Sequence, residues 1–162
     1  MPRMEEVIIR KARLFDVNTA CHIAKKCWAE IYSGYKSQLG DEIYDSVYPD
    51  DPLDVKAERI KSAILDGRVF VAECDGQVAG FASFLTEGKI GNLKENAVDP
   101  DFRGRGIASK LYDAVFERLR EVGCEVVRVA TGLDEAHAPA RRAYQKEGFE
   151  VSLSSIVYYK KL

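Results

Sequence analysis

The spacing of apolar residues changes period several times along the chain, and each change predicts a new element. The β-branched run from Val7 to Ala12 predicts a strand. Apolar residues then recur every three to four positions from Val17 to Ile31, and again from about Leu53 to Leu65, which predicts two helices. Asp16 is placed to cap the first helix. The stretch between the helices, Tyr32 to Pro52, is aromatic and acidic.

In the middle of the chain apolar residues follow a period of two residues, which is typical of antiparallel strands. Residues 68–74 and 77–86 are predicted to be strands joined by a tight turn at Asp75-Gly76, a strong hairpin signal. A further strand is predicted from Ile90 to Val98, and Asp99-Pro100 ends it.

The last third returns to helical spacing and then to strands. Ile107 to Val122 carries an apolar residue at every fourth position, which predicts a helix that Gly123 ends. A strand at Val126–Thr131, a helix at Pro139–Glu147 and a terminal strand, or strand pair, at Val151–Tyr159 follow. The order predicts a single α/β domain over residues 1–162, with a mixed, mostly antiparallel sheet of six or seven strands and helices on both faces.

Composition excludes several classes of protein. The net charge of -2 argues against a general nucleic-acid binder, which would be strongly basic. The longest apolar stretch, Val78 to Leu85, is too short for a membrane span. Four cysteines without CxxC spacing and two distant histidines favour reduced thiols and no metal site, and we expect a cytoplasmic protein.

The segment from Val98 to Ser109 carries the clearest chemistry. Gly104 and Gly106 let backbone amides converge at the start of a helix, whose positive end favours a phosphate, and Arg103 and Arg105 add charge. The alternative is a tight turn with solvated arginines. A partial match to the dinucleotide fingerprint is weaker, because its third glycine is replaced by a serine and the preceding strand belongs to antiparallel hairpins.

Two motifs together resemble the GCN5-related N-acetyltransferases. Arg103-Gly104-Arg105-Gly106-Ile107-Ala108 is similar to that family's coenzyme A-binding motif, and Tyr144-Gln145-Lys146-Glu147-Gly148-Phe149 is similar to its Tyr-x-x-x-Gly-Phe helix end. The resemblance covers nearly the whole chain. It implies a splayed sheet and transfer of acetyl from acetyl-coenzyme A, as a co-substrate, to a primary amine by direct attack in a ternary complex.

The resemblance also implies roles for individual residues. Tyr144 is expected to be the general acid, and the backbone amide near Val98 to stabilise the oxyanion. The residues implied to bind coenzyme A are Asn96, Ala97, Val98, Arg103, Gly104, Arg105, Gly106, Ile107, Ala108, Ser109 and His137.

Two positions depart from the family pattern. His137 stands where many members have an asparagine that contacts the pantetheine arm, and Gly132 stands where some carry a glutamate base. Glu95 and Glu30 are the candidate bases, but the alternative, a surface carboxylate, is favoured for either residue.

The acceptor is the least determined part. Trp28, Tyr32, Tyr35, Tyr44 and Tyr48, with nearby carboxylates, would suit a cationic amine, either a small molecule or a peptide amine. The alternative is that the aromatics are core and the acids a solvated loop. A non-catalytic acyl-coenzyme A-binding or sensing module is the alternative function. The sequence does not decide between a monomer and a homodimer.

Overall fold

The computed structural model describes residues 6–162, and a five-stranded sheet organises them. Its strands, in chain order, are β1 (Val7–Lys11), β2 (Val69–Cys74), β3 (Gln77–Glu87), β4 (Ile90–Val98) and β5 (Val126–Val129). They lie side by side in the same order. The pairs from β1 to β4 are antiparallel and β4 pairs with β5 in parallel, which confirms the mixed, mostly antiparallel sheet.

Five α-helices accompany the sheet, and they are α1 (Val17–Leu39), α2 (Asp41–Val47), α3 (Pro52–Leu65), α4 (Ile107–Glu121) and α5 (Ala138–Lys146). Helix α1 continues well beyond the predicted end at Ile31, and the aromatic, acidic stretch forms its last turns and α2. Asp16 precedes α1 but does not cap it with its side chain. Its carboxylate instead accepts hydrogen bonds from the Arg13 amide and the Arg10 guanidinium.

Helices cover both faces of the sheet, as the sequence predicts. On one face, α1 and α3 bury Ile23 and Ile60 against Phe81 of β3. On the other face, α4 buries its four-residue apolar stripe, including Leu111 and Val115, against β2, β3 and β4. Burial of these two stripes holds the helices to the sheet.

The hairpin at Asp75-Gly76 is confirmed. Both residues have positive φ, 52° and 79°, as a two-residue turn between twisted strands requires.

The predicted terminal strand at Val151–Tyr159 is wrong for this chain, and the sheet has five strands rather than six or seven. The segment is exposed to solvent and pairs with no strand among residues 6–162. Its β-branched and aromatic residues favour a strand, but propensity does not supply the hydrogen-bonding edge that a strand needs.

Among residues 6–162, no helix is long and apolar enough to cross a bilayer. The same residues bring together no group of three or more His, Cys, Asp or Glu side chains that could hold a metal ion.

Candidate active site

A wedge opens between β4 and β5 because the two strands pair over only part of their length. Their parallel pairing ends at Leu93 and Val129, while β4 continues to Val98. A bulge inserts one extra residue into β4 opposite Ala82–Phe84 of β3, and bulges bend the strand that carries them. The edge of β4 beyond Leu93 therefore presents unpaired backbone groups to the wedge.

A cleft of about 1000 Å³ occupies this wedge. It is bordered by α1, the end of β4, the glycine turn with the start of α4, and α5. Most residues implicated by the family resemblance line it together, and these are Glu95, Asn96, Ala97, Val98, Arg103, Gly104, Gly106, Ile107, Ala108, Ser109, His137 and Tyr144.

The glycine turn has the backbone conformation that the sequence predicts. Gly104 and Gly106 have φ of 78° and 73°, and a side chain at either position would meet open space. Gly106 directly precedes α4, so the first amides of that helix, at Ile107 to Ser109, border the cleft without intrahelical partners. The turn can therefore direct several N–H groups and a helix N-terminus at one anion.

The two arginines of the turn have different surroundings. Arg103 lines the cleft, and its guanidinium lies 3.7 Å from Cys27 Sγ of α1. The Arg105 guanidinium lies 5.1 Å from the Phe102 ring centre and 3.8 Å from Cys74 Sγ. Arg103 is thus placed to meet a ligand in the cleft, while Arg105 packs against the protein.

The Tyr144 side chain, on α5, belongs to a series of hydrogen-bonded side chains in the wall of the cleft. The Tyr112 hydroxyl donates to Asn96 Oδ1 (2.8 Å), and Asn96 Nδ2 donates to the Tyr144 hydroxyl oxygen (3.1 Å). Tyr144 is only 8% exposed, and burial raises its pKa against the opposing effect of hydrogen bonds from Asn96 and Tyr112. The Tyr144 proton is not used in the bond from Asn96, so it is available to a group in the cleft.

Glu95 lies beside a buried cation. Its carboxylate is 3.9 Å from the Lys56 ammonium of α3, and both side chains are largely buried. The same ammonium lies 4.5 Å from the Trp28 ring centre, and burial lowers the pKa of Lys56 despite the nearby Glu95 charge. Glu30, the other candidate base, also borders the cleft but is exposed on α1.

His137 is held by Asp134 rather than left free in the cleft. Its Nδ1 lies 2.6 Å from Asp134 Oδ1, and its ring stacks on Tyr35 of α1. A Cβ on Gly132 would collide with Asp134 Oδ1 and come within 2.7 Å of His137 Nδ1. The lack of a glutamate at position 132 therefore has a packing reason, because this pair fills the space of any side chain there.

The aromatic residues of the predicted acceptor side do cluster. Tyr32 packs edge-on against both Tyr35 and Tyr48, and Tyr48 contacts Tyr44. Trp28 lines the cleft itself, and the Lys56 ammonium lies over its ring in a cation–π contact.

The carboxylates near these aromatics are mostly solvated. Asp41, Glu42, Asp45, Asp50 and Asp51 are all exposed. Asp41 pairs with Lys36, and Asp51 caps α3 by accepting from the Leu53 amide. This part of the acidic stretch fits the solvated-loop interpretation.

Sequence reasoning missed Lys56 and Tyr112, which line the cleft, and Asp134, which holds His137. The sequence pattern could have indicated that Lys56 is buried, because it lies four and eight residues before the buried Ile60 and Ile64 on the same face of α3. A lysine on an apolar stripe is rarely buried without a partner. Asp134 and Tyr112 carried no such signal.

The chain resembles known acetyltransferases in sequence. The profile of the Acetyltransferase (GNAT) family matches residues 28–149. An uncharacterized N-acetyltransferase of Methanocaldococcus jannaschii is 32% identical over 88 residues, which cover 50% of this chain and 38% of that protein. An aminoglycoside N(6')-acetyltransferase type 1 of Stenotrophomonas maltophilia is 30% identical over 121 residues, covering 68% and 76%. The chain thus matches less than half of the first protein's length.

The fold is also found among solved structures. Aminoglycoside N-acetyltransferase AAC(6')-Iy in complex with CoA superposes with a TM-score of 0.70 at 21% identity, over 100% of this chain and 99% of that one. The profile match, together with this likeness of fold along the whole chain, shows that the protein belongs to the GNAT acetyltransferase family.

Proposed function

We propose that this chain is an N-acetyltransferase that moves an acetyl group from acetyl-coenzyme A to a primary amine by direct attack in a ternary complex. The observation that carries the proposal is the single cleft that joins the glycine turn, the unpaired end of β4 and the Tyr144 hydroxyl. Coenzyme A in the AAC(6')-Iy complex supports the choice of donor.

The donor's charged end suits the glycine turn. Amides of the turn and of the first turn of α4 would hold the pyrophosphate, with Arg103 adding a formal charge. The pantetheine arm would then run along the free backbone edge at Asn96–Val98, into the wedge between β4 and β5.

The thioester would lie at the inner end of this path. There the backbone amide near Val98 would donate to the oxyanion that forms when the amine nitrogen attacks the carbonyl carbon. A donor fixed in a strand stabilises that charge without reorganising, which lowers the barrier more than a mobile group would.

Tyr144 would supply the proton that the leaving thiolate needs. As the C–S bond breaks, its electron pair goes to sulfur and the Tyr144 proton follows, giving the amide and free coenzyme A. Because burial raises the pKa of Tyr144, the hydroxyl stays protonated throughout the neutral range. An ordinary phenol near pKa 10 donates to a thiolate near 8.5 at a cost of about 2 kcal/mol, so transfer must accompany bond cleavage.

The amine must lose a proton, and Glu95 is the proposed base. It lies in the cleft on the same strand as the proposed oxyanion donor. Its carboxylate lies 3.9 Å from the Lys56 ammonium. Glu30 is the second candidate, because it borders the same cleft from α1.

The acceptor class that we propose is a small-molecule amine. The relatives named as aminoglycoside acetyltransferases support this class, as does a cleft that Trp28 lines, on the same helix as Tyr32 and Tyr35 of the tyrosine cluster. A peptide amine is the second possibility.

Gly132 favours an alternative function. Without a carboxylate at that position, the chain could bind acyl-coenzyme A as a sensor and not turn it over. An assay of thiol release with acetyl-coenzyme A and a broad amine panel separates the two. The enzyme predicts turnover with at least one amine. Tight acetyl-coenzyme A binding without turnover on any amine would establish the binding module instead.

A further inference from the structure

The Lys56 side chain brings an amine into the candidate active site. It extends from α3 and lines the cleft, and only 11% of it is exposed. Its ammonium lies 4.5 Å from the centre of the Trp28 ring and 3.9 Å from the Glu95 carboxylate. An aromatic face and a carboxylate are also the groups that a cationic amine acceptor needs. The nitrogen of Lys56 therefore lies where we expect the nitrogen of an acceptor.

The Lys56 amine is loosely held for a buried cation. Lysines are rarely buried without a partner. The 3.9 Å between Lys56 Nζ and the Glu95 carboxylate is too long for a hydrogen bond, so this ion pair restrains the amine only weakly. The ammonium is also carried on a flexible four-carbon stem. The nitrogen can therefore move within the cleft without breaking a hydrogen bond to Glu95.

The contact between Lys56 and Trp28 lies near the end of β4. Cys27, the residue before Trp28 on α1, donates from its thiol to the Val98 carbonyl over 3.5 Å. Glu95 precedes Val98 by three residues, about 10 Å at the ordinary rise of a strand. The thioester of the proposed donor complex would lie beside this part of β4. Rotation of the lysine stem would then bring its nitrogen towards the thioester carbonyl.

Burial favours the nucleophilic form of this amine. It lowers the pKa of Lys56, the Glu95 charge opposes that effect, and the Arg59 and Lys94 charges lower the pKa further. A lower pKa increases the share of unprotonated amine at neutral pH, and only that form attacks a carbonyl. Lys94 and Lys146 also border the cleft, but both are exposed. Lys56 thus differs from its lysine neighbours in being buried next to a carboxylate.

We propose that the protein acetylates its own Lys56, in the same cleft and by the same chemistry as the transfer to a free amine. The inference rests on the proposed acetyl transfer, and it adds a covalent modification site on the acceptor side of the cleft.

Self-acetylation consumes one acetyl-coenzyme A per chain. The Lys56 ammonium first loses a proton to Glu95, which passes it to water. The nitrogen lone pair then attacks the thioester carbonyl carbon, and the electron pair of the C–S bond goes to sulfur. Tyr144 protonates the sulfur and takes a second proton from the nitrogen in return. The products are acetylated Lys56, free coenzyme A and one released proton.

Mass spectrometry of the full chain, incubated with saturating acetyl-coenzyme A and no added amine, tests the proposal. One acetyl group per chain should appear on Lys56. It should appear at least about 10-fold faster than on Lys94 or Lys146, because a positioned amine reacts faster than a solvated one. Dilution of the protein should leave the rate per chain unchanged, since donor and acceptor belong to one complex.

Two variants separate self-acetylation from the spontaneous reaction of surface lysines with a thioester. Tyr144→Phe should slow acetylation of Lys56 by about 100-fold, the contribution of a general acid, and leave that of Lys94 and Lys146 unchanged. Lys56→Arg keeps a cation in the cleft but carries no reactive amine, so the rapid acetylation should be lost. Lys36→Arg, on α1 outside the cleft, is the matched control and should keep it.

The outcomes distinguish this inference from the proposed function. An unmodified Lys56 in a chain that acetylates an added amine would overturn self-acetylation alone. An unmodified Lys56 in a chain that binds acetyl-coenzyme A but acetylates no amine would overturn both. Acetylation of Lys56 no faster than that of Lys94 and Lys146, or at a rate that Tyr144→Phe does not change, would identify a spontaneous reaction and contradict the proposal.

Discussion

The two sides of the cleft differ in the groups that form them, which are mostly backbone groups on one side and side chains on the other. The proposed donor side is mostly backbone, with the free edge of β4 and the amides around Gly104 and Gly106 within a short run of sequence. The proposed acceptor side is made of side chains from separate elements, with Trp28 on α1 and Lys56 on α3.

This difference decides what each side can be used for. Backbone amides recognise a pyrophosphate through geometry, which needs little more than glycines and a helix start. Side-chain surfaces can change with a few substitutions and so can be adapted to different amines. If the division holds, donor binding depends on the backbone groups and acceptor binding on the side chains. Substitutions can test this, and they follow from the largest expected effect to the smallest.

Gly106→Glu should remove the donor side altogether. The residue has φ of 73°, which any side chain strains, and the new carboxylate would face the phosphates. Calorimetry should show acetyl-coenzyme A affinity reduced by more than about 100-fold, as expected for a like charge in an anion site. Gly123→Glu is the control, since Gly123 also has positive φ (92°) but follows the far end of α4. Equal losses of acetyl-coenzyme A affinity in both variants would refute a role for the glycine turn in phosphate binding.

Tyr144→Phe should separate chemistry from binding. Removing a general acid is expected to lower kcat by about 100-fold, while acetyl-coenzyme A affinity stays within about two-fold because the turn and β4 are untouched. Steady-state kinetics and calorimetry on the same preparation measure both. Tyr112→Phe is the control, because it removes a hydroxyl that hydrogen-bonds Asn96 and Tyr144 but keeps the Tyr144 hydroxyl itself, and it should cost only a few-fold. Unchanged turnover in Tyr144→Phe would exclude the acid role.

Gly132→Ala tests how tightly the chain packs around His137. The new methyl group would meet the Asp134–His137 pair, and overpacking of this kind should cost about 1–2 kcal/mol in the free energy of unfolding. Gly34→Ala lies within α1 in open space and should stabilise by about 0.5–1 kcal/mol. Urea unfolding measures both changes. The same sign in both variants would contradict the packing explanation for Gly132.

Lys56→Met should give the smallest effect, and it concerns the acceptor alone. The Lys56 ammonium lies over the Trp28 ring and close to the Glu95 carboxylate. These are the two groups best suited to bind a cationic amine. Freeing them should lower KM for such an amine about 2–5-fold, the value of one cation–π contact, without changing acetyl-coenzyme A affinity.

Lys36→Met is the control for this change, because its ammonium lies on Tyr44 and not on Trp28. If KM for the amine rises in Lys56→Met, the cation contributes to acceptor binding and the interpretation must be reversed.

Most of the donor side could be predicted from sequence, because its signals are local. The bounds of β4 agree with the structure and those of α4 differ by one residue, and the positive φ angles at Gly104 and Gly106 follow from glycine's freedom. The Lys56–Trp28 contact depends on how α1 and α3 pack, and the Asp134–His137 pair depends on the turn before α5. A periodic pattern reports neither.

Residues 151–159 show the opposite error. Their composition predicts a strand, yet no strand among residues 6–162 pairs with them. A pattern of apolar residues favours a strand, but it does not supply the neighbouring edge that a strand needs.

The most direct test of the donor site is an amide chemical-shift titration of the ¹⁵N-labelled protein with coenzyme A. We predict the largest shifts at the glycine turn, residues 104–109, and along residues 96–98, with smaller ones near Tyr144. Shifts confined to other surfaces, with the turn and the end of β4 unmoved at saturation, would contradict the assignment of this cleft.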